Sequence, residues 1–69
     1  MNLLFAERLK NLRKEKSLSQ KQLADGLQMT QRKISYLETG QLEPDLKTLW
    51  KISDYFEVSC DYLIGKSDY

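Results

Sequence analysis

The sequence predicts an all-helical fold of five helices, and three observations carry that expectation. Apolar residues recur at helical spacing, four expected helix starts carry Ser, Thr or Asp, and glycines stand where two helices should stop. No stretch alternates apolar and polar residues beside turn residues, so no strand is expected.

Helix one is expected from about Leu3 to Lys16, with Phe5, Leu9 and Leu12 on one face and Arg8, Lys10, Arg13 and Lys14 mostly off it. Ser19 and Gln22 form an S-x-x-Q capping box that should open helix two, whose apolar residues are Leu23, Ala24 and Leu27. Thr30 is suited to cap helix three, Ile34 and Leu37 are its clear core residues, and Gly40 should end it. Pro44 and Asp45 restart the chain into helix four, where Leu49, Ile52 and Phe56 make the core stripe. Ser59 should cap a short fifth helix, Cys60 to Ile64, which Gly65 stops.

At 69 residues the chain has room for one domain, residues 1–69. Chains of this size bury only about 60% of their unfolded surface, so the core must be dense. An apolar fraction of 41% with 30% charged residues fits a soluble globular domain rather than disorder. No apolar run approaches the roughly 20 residues of a membrane span, and Met1-Asn2-Leu3 does not open a signal peptide. A cytoplasmic location without membrane contact is expected.

Cys60 is the only cysteine and there is no histidine, which removes intrachain disulfides, Cys-based zinc sites and the usual triads. So small a chain has little scope for a pocket of roughly 300 Å³ or more. Neither an enzyme, a cofactor, a metal nor a small-molecule ligand is expected. The net charge of +1 conceals an asymmetry: residues 1–36 carry +5 and residues 37–69 carry −4. A basic face for a polyanion is one reading, and chance on a solvated surface is the other.

Helix two, a three-residue link and helix three form the informative pattern, residues 20–39. Ala24 is small enough for two helices to cross steeply, while Leu23, Leu27, Met29, Ile34 and Leu37 fix their angle. What remains on helix three is Gln31, Arg32, Lys33, Ser35 and Tyr36. An outward helix of amide and guanidinium groups suits the major groove of DNA, where each base pair shows a distinct donor and acceptor pattern.

Nearly the whole chain resembles the Cro and phage-repressor-type (Xre-like) helix-turn-helix family. The resemblance rests on Phe5…Arg8-Leu9-Lys10…Leu12-Arg13, Leu18-Ser19-Gln20…Leu23-Ala24, Ile34-Ser35…Leu37-Glu38…Gly40…Pro44, and Leu49…Ile52…Phe56…Val58-Ser59…Asp61-Tyr62-Leu63-Ile64-Gly65. It implies a lambda-repressor-like five-helix fold, operator binding as a homodimer, and regulation of transcription. It further implies base contacts from Gln31, Arg32 and Tyr36, and phosphate contacts from Gln20, Thr30, Lys33 and Ser35, to which the lysine at Lys21 adds its charge. Gln20 would also touch Gln31, and Arg13 and Glu38 would form a buried salt bridge joining helices one and three.

Two departures from the family pattern stand out. Gln28 occupies a link position that is usually glycine, so a non-glycine residue should adopt a left-handed conformation there. Gln41-Leu42-Glu43 lacks the basic residues that some relatives send to the DNA backbone, which shifts weight to helix three and the basic residues of helices one and two.

Several residues carry two readings. Tyr36 is a groove contact or a partial core aromatic, and Cys60 is a small packing residue or a redox-active thiol at a helix start. Trp50 with Leu46 is ordinary packing or a partner surface. Tyr62, Leu63 and Ile64, joined by Trp50, are the expected dimer region, because helix five carries more apolar residues than core cover requires. The expected function is a sequence-specific repressor, or dual regulator, working as a homodimer on an inverted-repeat site in double-stranded DNA. The rival is a protein-interaction module such as an antitoxin with secondary DNA binding, which the short stretch after helix five, Lys66 to Tyr69, disfavours.

Overall fold

The computed structural model describes residues 4–68. Their regular structure is α1 (Phe5–Glu15), α2 (Gln20–Leu27), α3 (Gln31–Thr39), α4 (Leu46–Phe56) and α5 (Cys60–Ile64). The expected start of helix one at Leu3 lies outside the described residues. The other four helices begin one residue after the expected caps, for a local reason. Ser19, Thr30, Asp45 and Ser59 each hold extended backbone and accept a hydrogen bond from the N–H three residues on. At Ser19 the box is reciprocal: its Oγ accepts from the Gln22 N–H at 3.0 Å, and Gln22 Oε1 accepts from the Ser19 N–H at 2.8 Å.

All five helices end by one device. The N–H groups of Leu18, Met29, Gln41, Val58 and Lys66 each donate to the carbonyl five residues earlier, at 2.8–3.1 Å. That bond requires the preceding residue to turn left-handed. Gly40 and Gly65 do so at φ 80° and 93°, but Ser17, Gln28 and Glu57 do so as well, at 56–59°. The left-handed turn expected at Gln28 is therefore present, and two more were not foreseen. Leu18, Met29 and Val58, each following a non-glycine turn, pack against the core. That contact offsets the strain of a Cβ at positive φ. Gln28→Gly should therefore stabilise the fold by about 0.5–1 kcal/mol, since the relieved strain exceeds the added chain entropy. Equilibrium urea unfolding checks this, and an unchanged midpoint would mean an unstrained turn.

Helix α3 is the hub. Helices α1 and α2 both pack on it, α2 also meets α4, and α5 bridges α1 and α4. Leu9, Leu23, Ile34, Leu37, Ile52 and Leu63 are fully buried, and Ala24 lies in the same cluster, its small side chain permitting close approach. Helix α4 departs from expectation in detail. Leu49 is only partly buried, whereas Thr48 and Ser53 are buried. Ser53 satisfies its hydroxyl on the Trp50 carbonyl at 2.9 Å.

The dimer region expected on α5 needs correction. Leu63 is a core residue with no exposed surface, because a five-residue helix must spend its inward position on the bundle. Tyr62 is half-buried beneath Arg8, whose guanidinium carbon lies 4.2 Å from the ring centroid. The same guanidinium donates to the carbonyls of Tyr62 and Ser67 and stands 3.8 Å from the Asp68 carboxylate. Arg8 thus holds α1 to the chain beyond α5, a role its place off the apolar stripe did not announce.

Candidate nucleic-acid interface

At about 100° per residue, α3 divides cleanly. Ile34, Leu37 and Glu38 face inward and are buried, while Gln31, Arg32, Tyr36 and Thr39 are exposed. Gln31, Ser35, Thr39, Arg32 and Tyr36 occupy an arc of about 140°. Tyr36 is 41% exposed, so its ring is not a core aromatic. The arc presents an amide, a guanidinium and two kinds of hydroxyl on a helix fixed from beneath by two others.

The fixing has a polar component. Arg13 Nε donates to Glu38 Oε2 at 2.6 Å, and its terminal nitrogens reach Glu38 Oε1 at 3.0 Å and the Leu18 carbonyl at 2.8 Å. The side chains are 12% and 2% exposed, so α1 and α3 are joined by a bidentate, nearly dry ion pair. The hydrogen bond to Glu38 holds the Arg13 guanidinium above its ordinary pKa, burial acts against this, and the Glu38 charge adds to the rise.

Gln20, at the first position of α2, is half-buried and donates its amide to Glu38 Oε1 at 3.3 Å. The expected contact with Gln31 is replaced by one with the ion pair, since Glu38 has a lone pair to spare on that side. The Gln20 carbonyl oxygen and the exposed Lys21 lie at the same helix start.

Lys33 also differs from expectation. It sits on the α4 side of α3, partly buried, and its amine donates to Thr48 Oγ1 at 3.2 Å. It is therefore turned from the exposed arc, because its position on the helix circle falls between the arc and Leu37. Thr30 keeps an exposed hydroxyl that accepts from the Lys33 N–H at 3.1 Å, and the Ser35 carbonyl accepts from Thr39 Oγ1 at 3.1 Å. The contact to Thr48 was not legible in the sequence, since a lysine and a threonine 15 residues apart carry no mutual signal.

Thr48 completes a relay to the cap of α4. The Asp45 carboxylate accepts from the Thr48 N–H at 2.8 Å. The Thr48 side chain, then its backbone, hold Asp45 below the ordinary carboxylate range, and the positive charges of Lys33 and Lys47 add to this. A carboxylate with a lowered folded pKa stabilises fully above the unfolded value near 3.9, and the contribution is lost as pH falls through the folded pKa. The melting-temperature gap between the parent and Asp45→Ala should stay constant at neutral pH and narrow in acid. A gap that persists below about pH 2 would show that the carboxylate charge does not matter.

Burial and pairing also temper the charge asymmetry. Arg13 and Glu38, and Arg8 and Asp68, pair across the two halves. Counting those pairs as neutral takes residues 1–36 from +5 to +3 and residues 37–69 from −4 to −2. The exposed basic residues of the first half are Lys10, Lys14, Lys16, Lys21 and Arg32.

The pairing of a capped α2 with a crossing α3, its polar arc outward, matches a known family over residues 9–63, that of helix-turn-helix proteins. The chain belongs to the Xre-like helix-turn-helix family of transcriptional regulators. An uncharacterized HTH-type transcriptional regulator of Bacillus subtilis, YqaE, is 46% identical over 66 residues, covering 94% of this chain and 57% of its own. A transcriptional repressor of a cryptic phage in Vibrio cholerae, RstR, is 37% identical over 60 residues, covering 87% of this chain and 54% of that protein. The crystal structure of a transcriptional regulator from Listeria innocua superposes with a TM-score of 0.86 at 35% identity, covering 94% of this chain and 61% of that one. The chain thus spans little more than half the length of YqaE and RstR. The family and these relatives are regulators rather than enzymes. No helix among the described residues is long and apolar enough to cross a membrane.

Proposed function

We propose that this helix-turn-helix regulator is a cytoplasmic, sequence-specific repressor that binds an inverted-repeat operator in double-stranded DNA as a homodimer, with α3 in the major groove. The observation that carries the reading is the arc of exposed Gln31, Arg32 and Tyr36 with half-buried Ser35, on a helix clamped by the Arg13–Glu38 pair. Gln31, Arg32 and Tyr36 contact base edges. Arg32 is the guanine reader, because a guanidinium fork fits O6 and N7 together.

Gln20, Lys21, Thr30 and Ser35 hold phosphates around that arc. Lys33 joins them by leaving Thr48 when DNA is bound. One such module covers only roughly 600–1,000 Å², too little for tight selective binding, and two-fold pairing sets recognition helices about 34 Å apart on one DNA face. The relatives include an activator of Enterococcus faecalis as well as the phage repressor, and repression is proposed with the latter.

Selection of bound sites from a random double-stranded pool tests the reading. Enrichment of an inverted repeat with half-sites about one turn apart is expected, and a pool that never departs from random would overturn it.

A further inference from the structure

We propose that the outer face of α4 pairs with the same face of a second copy of this chain, antiparallel and two-fold symmetric, with Trp50 at the axis and Lys47 opposite Asp54 of the partner subunit. The inference rests on the dimeric reading above and gives the dimer a face.

The face is apolar without being core. Leu46 is 85% exposed and Trp50 64% exposed, while Ile52 and Phe56 bury the opposite side of the helix. At about 100° per residue, Leu46, Trp50, Asp54 and Lys47 fall within an arc of about 100°. Large exposed apolar side chains aligned on one helix mark a surface that is covered in use.

The charges identify what covers it. Lys47 and Asp54 are exposed and stand seven residues apart, with Trp50 between them. A two-fold axis perpendicular to the helix near Trp50 carries Lys47 of one copy onto the level of Asp54 of the partner subunit, and on the same edge of the face. A parallel two-fold pairing would instead carry each charge to the opposite edge at its own level, leaving Lys47 and Asp54 unpaired. Self-complementarity of this kind is what an isologous interface requires.

The helix dipole does not account for these two residues, although Lys47 also supports the charge of the Asp45 cap. Lys47 lies in the first turn of α4 and Asp54 in the last, so each opposes the helix dipole, and α4 carries neither an acid in its first turn nor a base in its last. Beside Trp50, a groove of about 230 Å³ opens between Gly26, Leu27 and Gln28 of the α2 end and Tyr55 of α4. A side chain at Gly26 would meet the Tyr55 hydroxyl at 2.9 Å, so the glycine lets that ring lie against α2. Lys51 braces the same junction by donating to the Leu27 carbonyl at 3.3 Å. The groove is thus a firm recess next to the axis, where Trp50 of the partner subunit can seat. One helix face covers less than the ~800 Å² per partner of a standard interface, so the pairing is weak in solution and is completed on DNA.

Sedimentation equilibrium of the chain, free of DNA, should show a concentration-dependent monomer–dimer equilibrium. Trp50→Ala should abolish it. Lys47→Asp and Asp54→Lys should each weaken it about fivefold or more by setting like charges together, and the double exchange should restore it. Asp54→Lys favours the helix dipole, so its melting temperature at or above the parent's will separate lost pairing from lost folding. Single exchanges that leave the dimer constant unchanged, or a double exchange that fails to recover it, would overturn the proposal. The DNA reading is tested separately by selection from the random double-stranded pool. A pool that never departs from random removes that reading, while the sedimentation result still decides the α4 pairing.

Discussion

Replacing Glu38 by Gln should lower the melting temperature by about 12 °C or more. The substitution keeps the shape of the side chain and removes its charge, leaving the Arg13 guanidinium in a site where both partners are nearly dry. Breaking a buried pair by removing one partner costs on the order of 3–5 kcal/mol, because the surviving charge stays desolvated. At roughly 0.05–0.15 kcal/mol per residue, a chain of this size has few kcal/mol in total, so the loss is a large share. In a domain of 60–100 residues each kcal/mol moves the midpoint by about 4–8 °C. Differential scanning calorimetry gives the answer directly. A shift of only a degree or two would mean that solvent reaches the pair. The double replacement Arg13→Met with Glu38→Leu should recover much of the loss, since an apolar pair of similar volume has no charge to strand.

Replacing Arg32 by Ala should relax base preference at one position of each half-site, by about 1–3 kcal/mol of discrimination. Lys21→Ala should behave differently. An exposed lysine that holds a phosphate contributes counterion release, so its loss weakens all sites alike and reduces the salt slope by about one per subunit. Binding isotherms on single-base operator variants at several salt concentrations separate the two behaviours. If Arg32→Ala weakened all operators equally while Lys21→Ala changed the preferred base, α3 would lie in the groove rotated from the orientation proposed here. Lys33→Ala should reduce the slope as Lys21→Ala does but cost less affinity, because its amine gives up the bond to Thr48 when DNA arrives.

The four capped helix starts were legible in the sequence, and helix ends only in part. A cap is a local event: Ser19, Thr30, Asp45 and Ser59 bond to backbone three residues away, so the residue type alone announces it. Gly40 and Gly65 announce ends in the same way. Ser17 and Glu57 do not, because nothing in a serine or a glutamate signals positive φ. The usable signal was the apolar residue that follows, Leu18 or Val58, which seals the turn against the core.

The candidate interface divides along the same line. The outward Gln31, Arg32 and Tyr36 follow from period and from the inward Ile34 and Leu37. The surroundings of Lys33 in the free chain and of Leu63 were not legible, because they are set by helices distant in sequence. Thr48 draws the first aside, and the small size of α5 draws the second inward. Gln20 was expected to meet Gln31 and meets Glu38 instead, a competition between acceptors that only the assembled bundle decides.

The guanidinium of Arg8 has a consequence for the whole chain. Helix α5 has five residues, far short of the roughly 12–15 that an isolated helix needs in water, so it exists only while something else holds it. Much of that hold is the first turn of α1, through two carbonyls, one ring and the Asp68 side chain. The beginning and the end of the described chain therefore unravel together. A protease that nicked the first turn of α1 would expose residues 60–68 in the same step, and partial digestion should leave no stable fragment lacking only one end.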